Sequence, residues 1–332
     1  MRKYVMKLAV LAAFITVSAC KNTEKTEMAS AGMEGQVAAE NVQLNVSLDT
    51  IKSTLEYLAS DELHGRKAGS EGIEKAAEKI EGVFRRNHIQ PYFETYRDSF
   101  PVEDKKAFNL VGVVEGNDPE LKDQYIIVGA HYDHIGEAKA VDGDTIANGA
   151  NDNAAGTVAV LELAKKFAAV DNNKRSVMFI LFSAEEEGLI GSSYIAKELK
   201  AKGLNLYAML NLEMIGVPMK DKKYEAYITG YDRSNMAEKL NEYAEKEVAG
   251  FLPQAKEYQL FSRSDNYSFF NEFHVPAQTL STFDFTNYDY YHHVSDEVSQ
   301  LDLGHMAGLI EDLFPAVYAI ANTKEQEIKL KE

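Results

Sequence analysis

Four short runs constrain this chain most. NLVGVVEG (109–116), QYIIVGAH (124–131), VMFILFSA (177–184) and YAMLNLEM (207–214) are rich in β-branched and apolar residues, with little alternation of polar ones. A strand wetted on one face alternates, whereas a strand apolar throughout is covered on both faces. Between and before these runs lie stretches with apolar residues at three- and four-residue steps, at 48–60, 71–88, 156–170 and 192–200. The pattern predicts an α/β fold, a three-layer sandwich with a mostly parallel central sheet. YEAYITG (224–230) adds a strand, and 235–247 and 304–320 add helices. No internal repeat and no strong second domain boundary interrupts the pattern.

Ligands of an open α/β sheet gather beyond the carboxyl ends of its strands. Behind QYIIVGA come His131, Tyr132, Asp133 and His134. GANDNAAG (149–156) leads into a helix, Glu185, Glu186 and Glu187 follow VMFILFSA, and Glu213 follows AMLNL. TNYDYYHHVSDE supplies His292, His293, Asp296 and Glu297 near the C-terminus. Singly, each has an ordinary explanation: a core histidine bonded to an aspartate, a helix cap, a solvated acidic loop, an aromatic core segment. Together they crowd carboxylates and imidazoles on one edge. Unpaired acids there would be costly, and divalent cations would neutralise them; zinc accepts His, Asp and Glu as ligands.

The order of these motifs resembles the co-catalytic di-zinc exopeptidases, the family of secreted bacterial leucyl aminopeptidases and glutamate carboxypeptidase. His131-Tyr132-Asp133, Gly149-Ala150-Asn151-Asp152, Ala184-Glu185-Glu186-Glu187-Gly188, Asn211-Leu212-Glu213 and Tyr291-His292 with Asp296 stand in the family's order, from about Leu48 to Ala321. The resemblance implies the phosphorylase/hydrolase-like fold of zinc exopeptidases and two zinc ions per chain. It implies His131, Asp152, Glu186, Glu213 and His292 as metal ligands, with Asp152 shared between the metals and the peptide after it cis. By the same resemblance Asp133 orients His131, Glu185 is the general base, and Tyr291 donates to the developing oxyanion. Glu187 falls on a variable position and is expected to be solvated. Glu213 replaces the more common aspartate, and His293, with Glu297 at the same spacing, is the alternative to His292.

The N-terminus adds a location. MRKYVMKLAVLAAFITVSAC has a basic start and an apolar run from Leu8 to Val17 that is too short to span a bilayer, as in a secretory signal. Val17-Ser18-Ala19-Cys20 resembles a bacterial lipobox, and Cys20 is the only cysteine of the 332 residues. We therefore expect a signal peptide at 1–19, a lipidated Cys20 with a flexible tether at 20–45, and a peptidase domain at 46–332, held at the bacterial cell envelope on the periplasmic or the outer surface. The chain carries 35 basic and 52 acidic residues, net −17. Removing 1–19 leaves 32 basic residues and a net of −20. A surface this acidic argues against nucleic acid as a partner.

The expected substrates are peptides. LFSRSDNYSFF (260–270) and STFDFTNYDYY (281–291) either wall an apolar side-chain pocket or form ordinary core. Only Arg263 stands near the motifs to hold a C-terminal carboxylate, and Arg66 is expected to be structural, so an aminopeptidase is favoured over a carboxypeptidase. The competing readings are a single-zinc glutaminyl cyclase of the same fold, a binding protein built on a decayed peptidase domain, and a solute-binding lipoprotein. The ligand order disfavours the last two. Cobalt or manganese would suit the same ligands.

Overall fold

A computed structural model describes residues 45–331; the signal segment, Cys20 and nearly all of the expected tether lie outside them. Helix α1 (Leu48–Leu58) starts at Ser47, whose hydroxyl accepts from the Thr50 N–H. Helix α2 (Glu71–Arg86) is capped the same way by Ser70 on Ile73. Such caps satisfy the free N–H groups of a first turn. The expected helices appear as α1, α2, α3 (Ala155–Val170), α4 (Ile190–Ala201), α5 (Met236–Ala244) and, at the C-terminus, α8 (Leu303–Asn322). Two more lie between α5 and α8: α6 (Pro253–Glu257) and α7 (Asn266–Phe273).

The strands are β1 (Gln90–Pro91), β2 (Arg97–Val102), β3 (Lys105–Val114), β4 (Gln124–His131), the hairpin β5 (Glu137–Val141) and β6 (Asp144–Ile146), β7 (Ser176–Phe182), β8 (Asn205–Leu212), β9 (Ala226–Ile228), β10 (Ala249–Gly250) and β11 (Ala277–Ser281). The main sheet runs β1-β3-β7-β4-β8-β11-β9-β10, with β2 beside β3. Its centre, β7-β4-β8-β11, is parallel. The flanks are not: β3 runs antiparallel to β7, and β9 antiparallel to β11.

The apolar runs are explained by what covers them. In β7, Val177, Phe179 and Leu181 face one core together with α1, α2, α3 and α8. Met178, Ile180 and Phe182 face the other, against Ile195 and Leu199 of α4 and Phe269 of α7. Two faces, each with period two, read as one unbroken apolar run. On the first face Phe167 of α3 meets the rings of Phe179, Phe314 and Tyr318 at 5.8, 5.4 and 5.8 Å. Removing so enclosed a ring costs about 3–5 kcal/mol. No helix among the described residues is long and apolar enough to cross a membrane.

Because the central strands are parallel, β4, β7, β8 and β11 all end at one edge. That edge receives the acids and imidazoles.

Candidate metal centre

His131 is the last residue of β4 and is buried. Its Nδ1 lies 3.1 Å from the carbonyl oxygen of Asp133. A carbonyl only accepts, so the proton sits on Nδ1, and Nε2 is left facing Asp152 Oδ1 at 3.4 Å. The Asp133 carboxylate stands farther from that ring, 3.8 Å from Nδ1. It accepts instead from the backbone N–H groups of Glu185 and Glu186, at 3.2 and 3.4 Å, and so ties the end of β4 to the glutamate turn. Arg66 braces the same region from below. It is fully buried, and its nitrogens donate to the carbonyls of Leu58, Tyr132, Asn148 and Gly149. Burial lowers its pKa to about 10, against the raising effect of Asp296, Asp133, Asp152 and Glu186.

Asp152 sits in the turn before α3, and the Asp152–Asn153 peptide is cis. Asp296 holds that turn by accepting from the N–H groups of Asn151 and Asp152, at 2.7 and 3.0 Å, and from the Tyr288 hydroxyl at 2.6 Å. Asn153 links the turn to β8 through the Leu212 carbonyl and the Met214 N–H. Gly156 allows this approach: a Cβ there would stand 2.4 Å from both Asn153 Oδ1 and the Leu212 oxygen. After β7 the N–H groups of Gly188 and Leu189 close back on the Glu185 carbonyl. The turn leaves Glu185 and Glu186 at the sheet edge. Glu187 is of intermediate exposure, short of the full solvation expected for it.

Four of these side chains converge. Ligand atoms of His134, Asp152, Glu186 and His292 all lie within 4.8 Å of one another. His134 Nδ1 is 2.8 Å from Glu186 Oε1, and His292 Nε2 is 3.0 Å from Glu186 Oε2 and 3.2 Å from Asp152 Oδ2. Yet His134 Nε2, His292 Nε2 and Asp152 Oδ2 are buried without an aligned hydrogen-bond partner among the described residues. Asp152 thus faces two ways, Oδ1 toward His131 and Oδ2 toward His292. His293 takes no part; its Nδ1 accepts from the Ser295 N–H at 3.0 Å. Tyr291 stacks on His292 with ring centroids 3.9 Å apart and on Phe283 at 5.6 Å, and is 43% exposed.

Glu213 stands outside the group of four and accepts a hydrogen bond from the Ser264 hydroxyl. Ser264 is also held by Asn211 Nδ2 at 2.8 Å. Beside it Asp265 is fully buried with both carboxylate oxygens unpartnered. Motif order names neither His134 nor Asp265. His134 was visible at the end of β4, three residues after His131. Asp265 carried no signal beyond its place in an aromatic stretch.

Charge separates the acids. Burial opposes ionisation of Asp152, but the nearby imidazoles of His131, His292 and His134 bring its pKa down. Glu186 is likewise lowered, with His134 and His292 outweighing burial and the Asp152 charge. The other acids go up. Burial, joined by Glu213, Asp265 and Glu186, lifts Glu185 well above the carboxylate range. Burial lifts Glu213 and Asp133 to about 7 and Asp265 to about 6, against the pull of His131. Burial alone would lower His292, but Asp152 and Glu186 raise it to about 10. Partial burial, and after it the charges of Asp152, Glu186, Glu213 and Glu185, push the Tyr291 phenol up. Orphaned nitrogen and oxygen atoms beside an excess of buried acid are what a divalent cation would satisfy, so the donor set fits a metal.

Residues 109–314, well over half of the chain, match the family model described as Peptidase family M28. A probable leucine aminopeptidase of Trichophyton verrucosum is 32% identical over 209 residues, 60% of this chain and 52% of that protein. The chain spans about half the length of the curated relatives it matches. Among solved structures, a zinc aminopeptidase of Bacillus subtilis shares the fold at TM-score 0.66 and 16% identity, covering 85% of this chain and 97% of the other. Porphyromonas gingivalis glutaminyl cyclase does so at 0.63 and 14%, covering 82% and 97%. The fold is thus common to both chemistries. The family match is more specific, running from β3 into α8 and taking in His131, Asp152, Glu186, Glu213 and His292, and by it this chain belongs to peptidase family M28.

Proposed function

We propose that the chain is a zinc-dependent exopeptidase that removes N-terminal residues from peptides. The observation that carries this reading is the convergence of His134, Asp152, Glu186 and His292 around orphaned ligand atoms at the sheet edge. Two zinc ions would be held, one by His131 and Glu213 and the other by Glu186 and His292, with Asp152 between them. Zinc bound there would lower the pKa of a water and polarise the scissile carbonyl.

The chain's own groups do the rest. Glu185 takes the proton of the attacking water and returns it to the leaving amine, a task favoured by a buried carboxyl whose pKa is pushed up. Tyr291, stacked on His292, donates its phenolic hydrogen to the developing oxyanion. His134 fixes Glu186 through Nδ1, and Asp133 fixes the glutamate turn.

Choice of peptide end follows from charge. Arg66 has spent its donors on four backbone carbonyls, and Arg263 is exposed. No free guanidinium is left among the motif residues for a C-terminal carboxylate, whereas Glu185, Glu213 and Asp265 favour an α-ammonium. Phe283, Phe285 and Tyr291, in ring contact at 4.5 and 5.6 Å, give the adjoining apolar wall. Lipid attachment at Cys20 completes the proposal, with the enzyme displayed on the cell envelope; incorporation of labelled palmitate by wild type but not by Cys20→Ala tests it.

The function is tested by metal content per chain, with release of free amino acid from an unblocked and an N-acetylated peptide measured on the same sample. Two zincs and chelator-sensitive release from the unblocked peptide alone are expected. One zinc without release would turn the reading to a cyclase, and no metal would overturn it.

A further inference from the structure

A cavity of about 490 Å³ opens near the carboxyl end of β9. β9 runs antiparallel to β11 and β10 parallel to β9, so the carboxyl ends of β9 and β10 point away from the metal centre. Beyond them Ile228, Leu252 and Phe261 give an apolar lining, and Arg233 stands over it. Its guanidinium carbon lies 4.4 Å from the ring centroid of Phe261 and 5.3 Å from that of Phe270. The backbone is shaped for this stack. Gly230 has φ +62°, and a Cβ there would stand 2.3 Å from the Phe261 ring.

The side chain of Arg233 makes no ion pair or hydrogen bond among the described residues. Its cationic neighbours are engaged: Lys256 with Asp232 at 2.5 Å and Lys331 with Glu238 at 2.7 Å. Arg233 is itself exposed, so its guanidinium is open to a ligand at the cavity. Stacking occupies the face of a guanidinium and leaves its in-plane N–H donors for a planar anion. A carboxylate is such an anion, taken by two parallel hydrogen bonds. The volume lies in the range of small-molecule sites, and the lining suits an apolar body attached to that carboxylate.

We propose that this cavity is a binding site for small carboxylates with an apolar body, the carboxylate on Arg233 and the body against Ile228, Leu252 and Phe261. The site stands apart from the metal centre and does not depend on the peptidase reading.

Calorimetric titration of the full chain with 3-phenylpropionate, L-phenylalanine and 3-phenylpropanamide tests it. The carboxylates are expected to bind one per chain, with the amide at least tenfold weaker and chelator without effect. Arg233→Gln is expected to weaken the carboxylates at least tenfold. Ser262→Trp, on the part-exposed wall, should block the cavity with the guanidinium intact, and it decides the matter should Arg233→Gln fail to fold. Binding of both carboxylates assigns the site to carboxylates in general; binding of phenylalanine alone assigns it to amino acids, with Asp232 beside the ammonium. Equal binding of the amide, binding lost on chelation, or parental affinity in a folded variant would overturn the proposal.

Discussion

Asp152 and Glu186 lie on the same buried sheet edge as Glu185, Glu213 and Asp265, yet the pKa values of the first pair are lowered and those of the other three are raised. The difference is where the imidazoles point. His134 and His292 aim at Asp152 and Glu186, while the other acids have only His131, which they share with Asp152. Desolvation raises the pKa of all five acids, and a nearby positive charge opposes it. One half of the pocket is therefore balanced by the chain, and the other holds more acid than the chain can neutralise. That imbalance supports the second of the two cations proposed above.

The comparison breaks hardest at Glu185. If its raised pKa serves proton transfer, Glu185→Gln keeps the fold and both metals but lowers kcat by about a thousandfold, some 4 kcal/mol of transition-state stabilisation. Steady-state kinetics beside metal analysis checks this. Near-normal turnover would mean the raised carboxyl is only an acid short of a cation.

The two halves should also part in metal affinity. Glu213→Ala is expected to release one metal and His292→Ala the other, each weakening its own site by a hundredfold or more, while His293→Ala changes neither. Competition with a chelating dye reads both sites. Loss of both metals from either variant alone would merge the halves into a single site.

These distinctions were only partly legible in the sequence. β4 and β7 announced themselves because burial on both faces leaves no polar position to confuse the pattern. β1, β2 and β10 did not: they are short or on the flank, held by a neighbour's register rather than by a pattern of their own. The aromatic stretch 260–270 left pocket and core both open. The structure divides it, for Phe269 of α7 stacks with Phe273 deep in the core at 6.3 Å, while the apolar wall near Tyr291 comes from Phe283 and Phe285. His292 and His293 cannot be parted by spacing. The backbone parts them, with His292 at φ +54° turned into the cluster and His293 bonded to its own loop. Asp265 needed the tertiary structure, because its nearness to Glu213 and Glu185 crosses strands that lie far apart in the chain.

The smallest effect comes from a carboxyl with the same raised pKa and no metal near it. Asp98 of β2 is buried and accepts from Asn109 Nδ2 at 3.0 Å. Burial, joined by a hydrogen bond and repulsion from Glu198, lifts it to about 7, against the Asn109 bond and Lys202. A folded-state pKa above the unfolded value of 3.8 means that the fold prefers the protonated acid. The contribution of Asp98 to stability is then full below about pH 4 and is lost as pH rises toward 7. Asp98→Asn keeps the acceptor for Asn109, offers an N–H to Glu198, and removes the titration. It should leave stability near parental at pH 4 and raise it by about 1–3 kcal/mol at pH 8, less than the full conversion of the shift because the surroundings relax. Urea midpoints of variant and parent, both stripped of metal, isolate the effect, since the acids of the metal centre titrate equally in the two. A gain at pH 8 would show that a raised carboxyl marks only burial without a countercharge. The metal centre would then be distinguished not by its raised acids but by the orphaned atoms of His134, Asp152 and His292 beside them. No gain would mean Asp98 stays ionised, and Lys202 rather than a shared proton balances it.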